Sequence, residues 1–436
     1  MPGIFKNRKN DTLRAEGPRY GYRVLGKGIC VSNDTRKTHL NNNDLICGSS
    51  GSSKTGSIIY TQLKTLDDSS LVVSDTKSRL YSMFKDELEM KGYKVLKLDF
   101  INPETSCIYN PLEYIRKYSS GKYSETDITK LAASLLPLGN LEREPFWIMS
   151  ARIFLEFFIS FALEALPEKE HTMYYVSRLY RAFTKENGSL GFIPWLDSHP
   201  DSFASIRYAE ICGLKSAEKT LSSIYGFINT ALFPFDISEM RYIFDTDMKD
   251  REKGTEKLDI GMLGEQKTVL FLNISDVDHS LDTLVNIFFS QAIQTLILNA
   301  DKNPDGRLRI PVRLIMDDFA SSATIPDFDR IISVVRSRDL WLTLSIQSFT
   351  QLESIYTHEQ AHTIISNCDH IVFLGSNDLR SAEFIGTRAM KPPESILNMD
   401  RTKEYFLEGG RPAVLADKIP PYSYTGTGFE DDDLTA

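Results

Sequence analysis

The sequence predicts an α/β protein in which an all-α domain is inserted into a central, mostly parallel sheet. Short apolar runs alternate with helical stretches in residues 41–125 and again in residues 251–420. This alternation is typical of a parallel sheet that helices cover on both faces. Residues 126–250 differ, because apolar side chains recur there at three- and four-residue spacing and no strand stands out. We therefore expect one sheet, built from two segments that flank a helical insertion.

The separate elements follow from the same patterns. Residues 1–40 predict a polar leader and a short β segment around Tyr22–Ser32, and residues 421–436 predict a disordered tail. The acidic residues of this tail are Glu430, Asp431, Asp432 and Asp433. The helices expected beside the sheet are Ile58–Leu66, Leu80–Met90, Leu281–Leu298 and Asp327–Val335. The expected strands are Leu45–Cys47, Ser70–Ser74, Tyr93–Leu98, Thr268–Ile274, Val312–Met316, Leu340–Ile346 and Ile371–Leu374.

The composition argues against several classes of protein. The chain has 50 basic and 59 acidic residues, a net charge of −9, whereas proteins that coat nucleic acid are usually basic overall. Its five cysteines are scattered without a CxxC pair, which argues against a zinc site and fits a reducing cytosol. The most apolar stretches, Ile153–Leu166 and Leu284–Leu298, contain polar residues and are shorter than the roughly 20 residues of a membrane span. No signal peptide or transmembrane segment is expected.

A phosphate-binding loop is the first chemical motif along the chain. The segment between a predicted strand and a predicted helix has the spacing GxxxxGK[ST], in which small residues let backbone N–H groups surround a phosphate. Lys54 is expected to bridge the β- and γ-phosphates of ATP, and the Thr55 hydroxyl to ligate Mg²⁺. The predicted nucleotide-binding residues are Gly48, Ser49, Ser50, Gly51, Ser52, Ser53, Lys54 and Thr55.

One position of this loop departs from the motif. Ser53 stands where the last glycine is expected, and its Cβ penalises a positive φ at the point where the backbone comes closest to phosphate. The alternative interpretation of the segment is a flexible Gly/Ser turn that happens to contain a lysine.

The second half of a nucleotide site is an acidic residue at the end of a later apolar strand. Asp317 and Asp318 follow Val312–Met316 directly. Asp317 is expected to hold Mg²⁺, and Asp318 to polarise the attacking water. Glutamate is usual at the second position, and aspartate is one methylene shorter. Two solvated acids that merely end a strand would produce the same local pattern.

The motifs, taken in order, resemble the type IV coupling proteins, the TraG/TraD-type conjugation ATPases, in the form found on Gram-positive conjugative elements. The resemblance covers residues 20–415. Besides the phosphate loop it rests on SLVVSDTK (Ser70–Lys77), YKVLKLDFINPETSCIYNPL (Tyr93–Leu112), EPFW (Glu144–Trp147), TVLFLNISDVD (Thr268–Asp278), the segment Leu314–Leu352 and NCDHIVFLGSND (Asn367–Asp378).

The resemblance implies a RecA-like P-loop NTPase with an all-α insertion, which binds ATP and Mg²⁺ between the subunits of a homo-hexamer. It implies relaxase-bound single-stranded DNA, the relaxase and channel components as partners. The chain would act in the cytoplasm, held at the inner face of a bacterial membrane by other proteins. By motif, Arg336 is expected to be an arginine finger acting on the neighbouring subunit, with Arg338 as its rival. Gln347 is expected to sense the nucleotide state.

Departures from the family leave two alternatives open. The family's DPKGE motif is replaced by Asp75-Thr76-Lys77-Ser78-Arg79. Together with Ser53 and Asp318, this favours a second hypothesis, a nucleotide-binding adaptor or receptor for secretion substrates that hydrolyses poorly. A third is a HerA/FtsK-like DNA translocase.

Overall fold

A nine-stranded, mostly parallel sheet forms the centre of the molecule. The structure is a computed structural model that describes residues 20–138, 145–214, 218–245, 255–275, 279–319 and 324–425. The strands of the sheet are β3 (Asp44–Cys47), β4 (Ser70–Asp75), β5 (Lys94–Asp99), β6 (Thr268–Asn273), β7 (Val312–Met316), β8 (Leu340–Ile346), β9 (His370–Phe373), β10 (Lys403–Glu408) and β11 (Val414–Asp417). They lie in the order β11-β10-β9-β3-β8-β7-β4-β6-β5.

The seven strands from β9 to β5 are parallel, and β10 and β11 extend the sheet antiparallel at one edge. Every residue of β3, β4, β6, β7 and β8 is buried, as expected when helices cover both faces of a parallel sheet. The predicted α/β class with a mostly parallel sheet is therefore confirmed. The strands β10 and β11 are additions, because no strand is predicted after Ile371–Leu374.

The helices flank this sheet and fill one long connection within it. They are α1 (Thr35–Thr38), α2 (Tyr60–Lys64), α3 (Leu80–Met90), α4 (Glu125–Leu135), α5 (Pro145–Ala165), α6 (Met173–Phe183), α7 (Ile193–Ser198), α8 (Phe203–Leu214), α9 (Glu218–Asp236), α10 (Arg241–Phe244), α11 (Asp282–Lys302), α12 (Phe328–Val334), α13 (Phe349–Ile355), α14 (His358–Ser366), α15 (Leu379–Ala389) and α16 (Pro393–Leu397). A π-helical segment, Lys54–Ile59, precedes α2.

The described part of the connection from β5 to β6 contains seven helices, α4 to α10, and no strand. These helices pack around α5, whose Phe154, Phe157 and Phe158 side chains are fully buried. Burial of each such ring stabilises the fold by about 2–3 kcal/mol. We propose that these helices form the all-α domain expected over residues 126–250.

Two of the long helices have the length and composition of membrane spans. Phe146–Ala165 and Asp282–Lys302 contain 20 and 21 residues, so the expectation that these stretches are too short was wrong. However, 72% and 61% of their apolar windows are buried inside the fold. Core helices of globular domains meet the same criteria.

An N-terminal hairpin and a buried ion network complete the neighbourhood of β3. The predicted β segment is a hairpin of β1 (Tyr22–Gly26) and β2 (Ile29–Ser32). The Asp44 carboxylate accepts hydrogen bonds from Arg23 at 2.8 Å and Arg313 at 2.9 Å, and all three side chains are buried. These two guanidinium groups lower the pKa of Asp44. The network joins the hairpin and β7 to the first residue of β3, the strand that leads into the phosphate loop.

Candidate nucleotide-binding site

The phosphate loop links the end of β3 to the π-helical segment. Its backbone takes left-handed conformations at Gly51, with φ of 78°, and at Ser53, with φ of 72°. Such a conformation is easy for glycine and costs an ordinary residue roughly 1–2 kcal/mol. Ser53 therefore adopts a left-handed conformation that suits the glycine expected at this position of the motif, although its Cβ makes that conformation costly.

Lys54 lies inside the loop. Its side chain is 8% exposed, and its ammonium donates a hydrogen bond to the Gly48 carbonyl at 2.8 Å. The same ammonium lies 3.9 Å from an Asp318 carboxylate oxygen. This placement puts one positive charge between the loop backbone and the carboxylates at the end of β7.

Thr55 and Asp317 form the arrangement that a magnesium site requires. The Thr55 hydroxyl donates to one Asp317 oxygen at 2.6 Å, and the Ser345 hydroxyl on β8 donates to the other at 2.6 Å. The Thr55 hydroxyl and the Asp317 carboxylate offer the oxygen ligands that Mg²⁺ prefers. Mg²⁺ commonly binds one or two carboxylates and completes its coordination shell with phosphate oxygens and water. In the described part of the chain, no group of three or more His, Cys, Asp or Glu side chains forms another metal site.

Asp318 and Gln347 lie beside this pair, at the ends of β7 and β8. Asp318 has a left-handed backbone with φ of 51°. The pKa of Asp318 is raised above its ordinary value. Burial and the neighbouring Asp317 raise it by more than Lys54 and a hydrogen bond from the Gln347 side chain lower it. The Gln347 backbone N–H donates to the Gln351 side chain at 3.1 Å, which ties the end of β8 to α13.

These side chains surround one open cavity of about 330 Å³. Besides the residues predicted from the motifs, Lys77 lines this cavity and lies close enough to lower the pKa of Asp318. Lys77 ends the SLVVSDTK motif and belongs to the segment Asp75–Arg79, which departs from the DPKGE motif of the family, and no role in the site was predicted for it. The side chain of Asp75 accepts backbone hydrogen bonds from Arg79 and Tyr81 and so fixes this turn. The position of β4 beside β7 was the signal that could have placed Lys77 here.

A second cavity, of about 690 Å³, lies on the other side of the loop. The residues shared by the two cavities are Ser50, Gly51, Ser52, Ser53 and Pro421. The far wall combines the apolar side chains of Leu397, Met399 and Ile419 with the polar groups of Arg401 and Asn377. Apolar walls with a few polar groups are typical of small-molecule sites.

The two arginines proposed as a finger lie away from this site. Arg336 and Arg338 precede β8, at the N-terminal ends of the parallel strands, whereas the phosphate loop lies at their C-terminal ends, roughly 20 Å away along a seven-residue strand. Arg338 is held by a two-fold ion pair with Asp301, at 2.9 and 3.3 Å. Arg336 is exposed and donates to the His39 carbonyl at 2.7 Å. Neither arginine can reach the phosphates of its own subunit.

Comparison with known families agrees with this geometry. A family model described as type IV secretory system conjugative DNA transfer matches residues 13–389. The chain belongs to this family. The predicted resemblance is thereby confirmed, and no curated protein sequence matches the chain.

Several solved structures share the fold of this chain. The bacterial conjugative coupling protein TrwBdeltaN70, in its unbound form, is 16% identical, with a TM-score of 0.67 over 91% of this chain and 88% of that one. The plasmid coupling protein TrwB in complex with ADP and Mg²⁺ is 15% identical, with a TM-score of 0.63 over 92% and 95%. VirB4 of Thermoanaerobacter pseudethanolicus is 13% identical, with a TM-score of 0.54 over 93% and 98%. These matches confirm a P-loop NTPase fold.

Proposed function

We propose that the chain is the coupling protein of a conjugative type IV secretion system, an ATP-hydrolysing ring motor that recruits relaxase-bound single-stranded DNA and moves it toward the channel. The observation that carries the proposal is the meeting of Lys54, Thr55, Asp317, Asp318 and Gln347 around one cavity at the ends of three adjacent strands. A phosphate loop, a hydroxyl–carboxylate pair and a second carboxylate are the parts that phosphoryl transfer to water needs. The family match supports the cellular role.

Each residue has a separate task in this scheme. Lys54 and the loop N–H groups bind and orient the β- and γ-phosphates. Thr55 and Asp317 would hold Mg²⁺, which supplies charge neutralisation on the phosphates when it is bound. Asp318 orients the attacking water and must be ionised to accept its proton, and Gln347 holds Asp318 through a hydrogen bond. Lys77 adds a second positive charge to the wall of the cavity.

We place the working state in a homo-hexamer at the cytoplasmic face of the membrane, because Arg336 serves hydrolysis only from a neighbouring subunit. An arginine supplied in trans ties turnover to assembly of the ring. The net charge of −9 gives no general affinity for DNA. Contacts with the strand therefore belong to local basic groups, and they should weaken steeply with salt.

The test is an ATPase assay with and without single-stranded DNA. Wild type should show DNA-stimulated turnover, Lys54→Ala should lose nucleotide binding, and Asp318→Asn should keep nucleotide binding while turnover falls by about 10²-fold or more. Lys302→Ala, which removes an exposed lysine at the end of α11, is the matched control and should behave as wild type. Equal turnover in wild type and Lys54→Ala would reject the proposal.

A second candidate function is a hydrolysis-poor adaptor that binds nucleotide and recruits secretion substrates. Two features favour this function. Ser53 has a left-handed backbone, and Asp318 has a short side chain whose pKa is raised by burial and by the neighbouring Asp317. This hypothesis predicts that wild type binds ATP without turning it over. The double substitution Ser53→Gly with Asp318→Glu should then create turnover, and an active wild type excludes the hypothesis.

A further inference from the structure

The segment Lys418–Tyr422, here called the strap, follows β11 and crosses the phosphate loop. Pro421 and Tyr422 were predicted to lie in a disordered tail, whereas both pack against the start of the helix that follows the loop. That assignment was wrong for these two residues. The acidic residues Glu430–Asp433 of the same predicted tail lie outside the described residues.

The first part of the strap is firmly anchored. The Lys418 ammonium donates to the Leu374 carbonyl at 2.6 Å, and the Lys418 N–H donates to the Thr402 carbonyl at 2.8 Å. Ile419 is 6% exposed and packs in a small cluster with Val24 and Cys30. These contacts hold the strap beside β9, the neighbour of the loop strand.

The second part of the strap touches the helix through Gly56. The Tyr422 N–H donates to the Gly56 carbonyl at 2.9 Å. A Cβ at position 56 would lie 2.9 Å from the Pro421 Cβ and 3.0 Å from the Tyr422 ring, so only glycine allows this approach. The Tyr422 ring also meets the Tyr60 ring edge-on, with the centroids 5.5 Å apart.

The anchorage of Tyr422 is much weaker than that of Ile419. Its side chain is 43% exposed and its backbone has a left-handed φ of 58°, a strained value for tyrosine. Segments with few buried contacts and exposed hydrogen bonds open locally at low cost. We therefore expect Pro421 and Tyr422 to detach more readily than Lys418 and Ile419 on one side and Tyr424, which packs against the same small cluster, on the other.

The strap lies across the path that a nucleotide takes. Pro421 lines both cavities, and Tyr422 lines the cavity that contains Lys54 and Asp318. A molecule with phosphates on the loop and a base in the larger cavity would span both cavities and lie against Pro421. We propose that the strap is a clamp on bound nucleotide: Pro421 and Tyr422 close over the phosphates, and nucleotide leaves only after Tyr422 releases Gly56. This inference rests on the proposed nucleotide function.

The test measures dissociation of a fluorescent ADP, N-methylanthraniloyl-ADP with Mg²⁺, by stopped flow after addition of excess ADP. The full-length Pro421→Gly/Tyr422→Ala variant should release the probe about tenfold faster than wild type or more, because affinity changes are expressed mostly in dissociation rates. Tyr118→Ala, which removes a tyrosine of similar exposure in a distant loop, is the control and should leave the rate unchanged. A dissociation rate within twofold of wild type in the strap variant would overturn the clamp.

A double-mutant cycle separates the clamp from general damage to the loop. Gly56→Ala should speed dissociation in wild type because its methyl group displaces the strap. In the strap variant the same substitution should add little, since the contact it disrupts is already gone. Additive effects would contradict the clamp. If wild type fails to bind the probe in a Lys54-dependent way, the proposed function fails instead, so the two failures are distinguishable.

Discussion

Ser53 carries the clearest conflict between a single residue and the loop it belongs to. Its φ of 72° belongs to the left-handed region, and its neighbour Lys54 begins the π-helical segment. The structure accepts this strain because β3 and the helix fix both ends of the loop. Strain that is retained at a binding site is often part of its function, and we expect the Ser53 Cβ to limit how closely the loop can approach a phosphate.

Replacing Ser53 with glycine should change nucleotide binding more than stability. Relief of left-handed strain gains about 1 kcal/mol, but the greater freedom of glycine in the unfolded chain offsets about 0.4–1 kcal/mol of it. We therefore expect Ser53→Gly to shift the free energy of unfolding by less than about 1 kcal/mol and to tighten binding of Mg²⁺-ADP, measured by calorimetry.

Met390→Gly is a matched control for that experiment. Met390 is also left-handed, with φ of 53°, but it is 92% exposed at the end of α15 and contacts neither cavity. It should show a similar small shift in stability and unchanged nucleotide affinity. If both substitutions tighten binding equally, or Ser53→Gly weakens it, the Cβ at position 53 is not what limits the approach to phosphate.

At the scale of elements, strand β10, next to the edge strand β11, contains a buried acid. The Glu404 side chain is fully buried, and a Cβ on Gly26 of the hairpin would collide with one of its oxygens. Burial raises the pKa of Glu404 to about 8, and nearby Lys418 lowers it only in part. The protonated acid is thus the form that the fold accommodates near neutral pH.

This burial predicts a pH dependence of stability. The pKa of Glu404 is higher in the folded chain than its ordinary value of 4.5. Its favourable contribution is therefore complete below about pH 4.5 and is lost as the pH rises from there to about 8. Glu404→Gln should unfold at a higher temperature than wild type at pH 8, with an advantage on the order of 2–4 kcal/mol that shrinks toward pH 5.

The exposed Glu394 provides the comparison, because Glu394→Gln should give no such pH-dependent difference. Thermal unfolding across pH 5 to 8 measures all three proteins. A Glu404→Gln curve parallel to that of wild type would show that the acid is solvated or paired in solution.

The same strand explains which parts of the fold the sequence could and could not predict. The buried parallel strands are short continuous apolar runs, and Val312–Met316 and Leu340–Ile346 were predicted with the bounds that the structure has. Strand β10 reads KEYFLE, with glutamates at its second and last positions, and β11 is largely exposed. Strands of this kind lack a continuous apolar signal, and β10 is placed by its pairing with β9, which is distant in sequence, while β11 pairs only with β10 at the edge of the sheet.

The residues of the site also divide into those that a local sequence pattern predicts and those whose position depends on distant parts of the chain. Lys54, Thr55 and Asp317 were predicted because a local motif fixes their chemistry. Lys77 lies in the SLVVSDTK segment but was given no role in the site, and Tyr422 enters the cavity from a turn without a motif of its own. Their positions depend on strand order and on the close approach at Gly56, and neither can be seen in a local pattern.

At the scale of the whole molecule, the separation between Arg336 and the phosphate loop means that, in the proposed motor, one chain alone is an incomplete catalyst. Both arginine candidates lie at the N-terminal ends of the parallel strands, and the loop lies at the C-terminal ends. Arg338 is committed to Asp301, whereas Arg336 is exposed and bonded only through a backbone carbonyl among the described contacts. A surface arginine held in this way is suited to enter the site of a neighbour in a closed ring.

Complementation between two inactive variants tests this arrangement. Arg336→Ala should keep ADP binding and lose about 10³-fold in turnover, and Lys54→Ala should be inactive because its own loop fails. In a ring mixed at equal amounts, about one quarter of the interfaces pair an intact Arg336 with an intact Lys54. ATPase activity should therefore reappear on mixing, measured at saturating DNA. As the control, Arg338→Ala should lower stability, because its ion pair with Asp301 is lost, and should retain turnover. If mixing with Arg336→Ala restores no activity, Arg336 does not act on the neighbouring subunit.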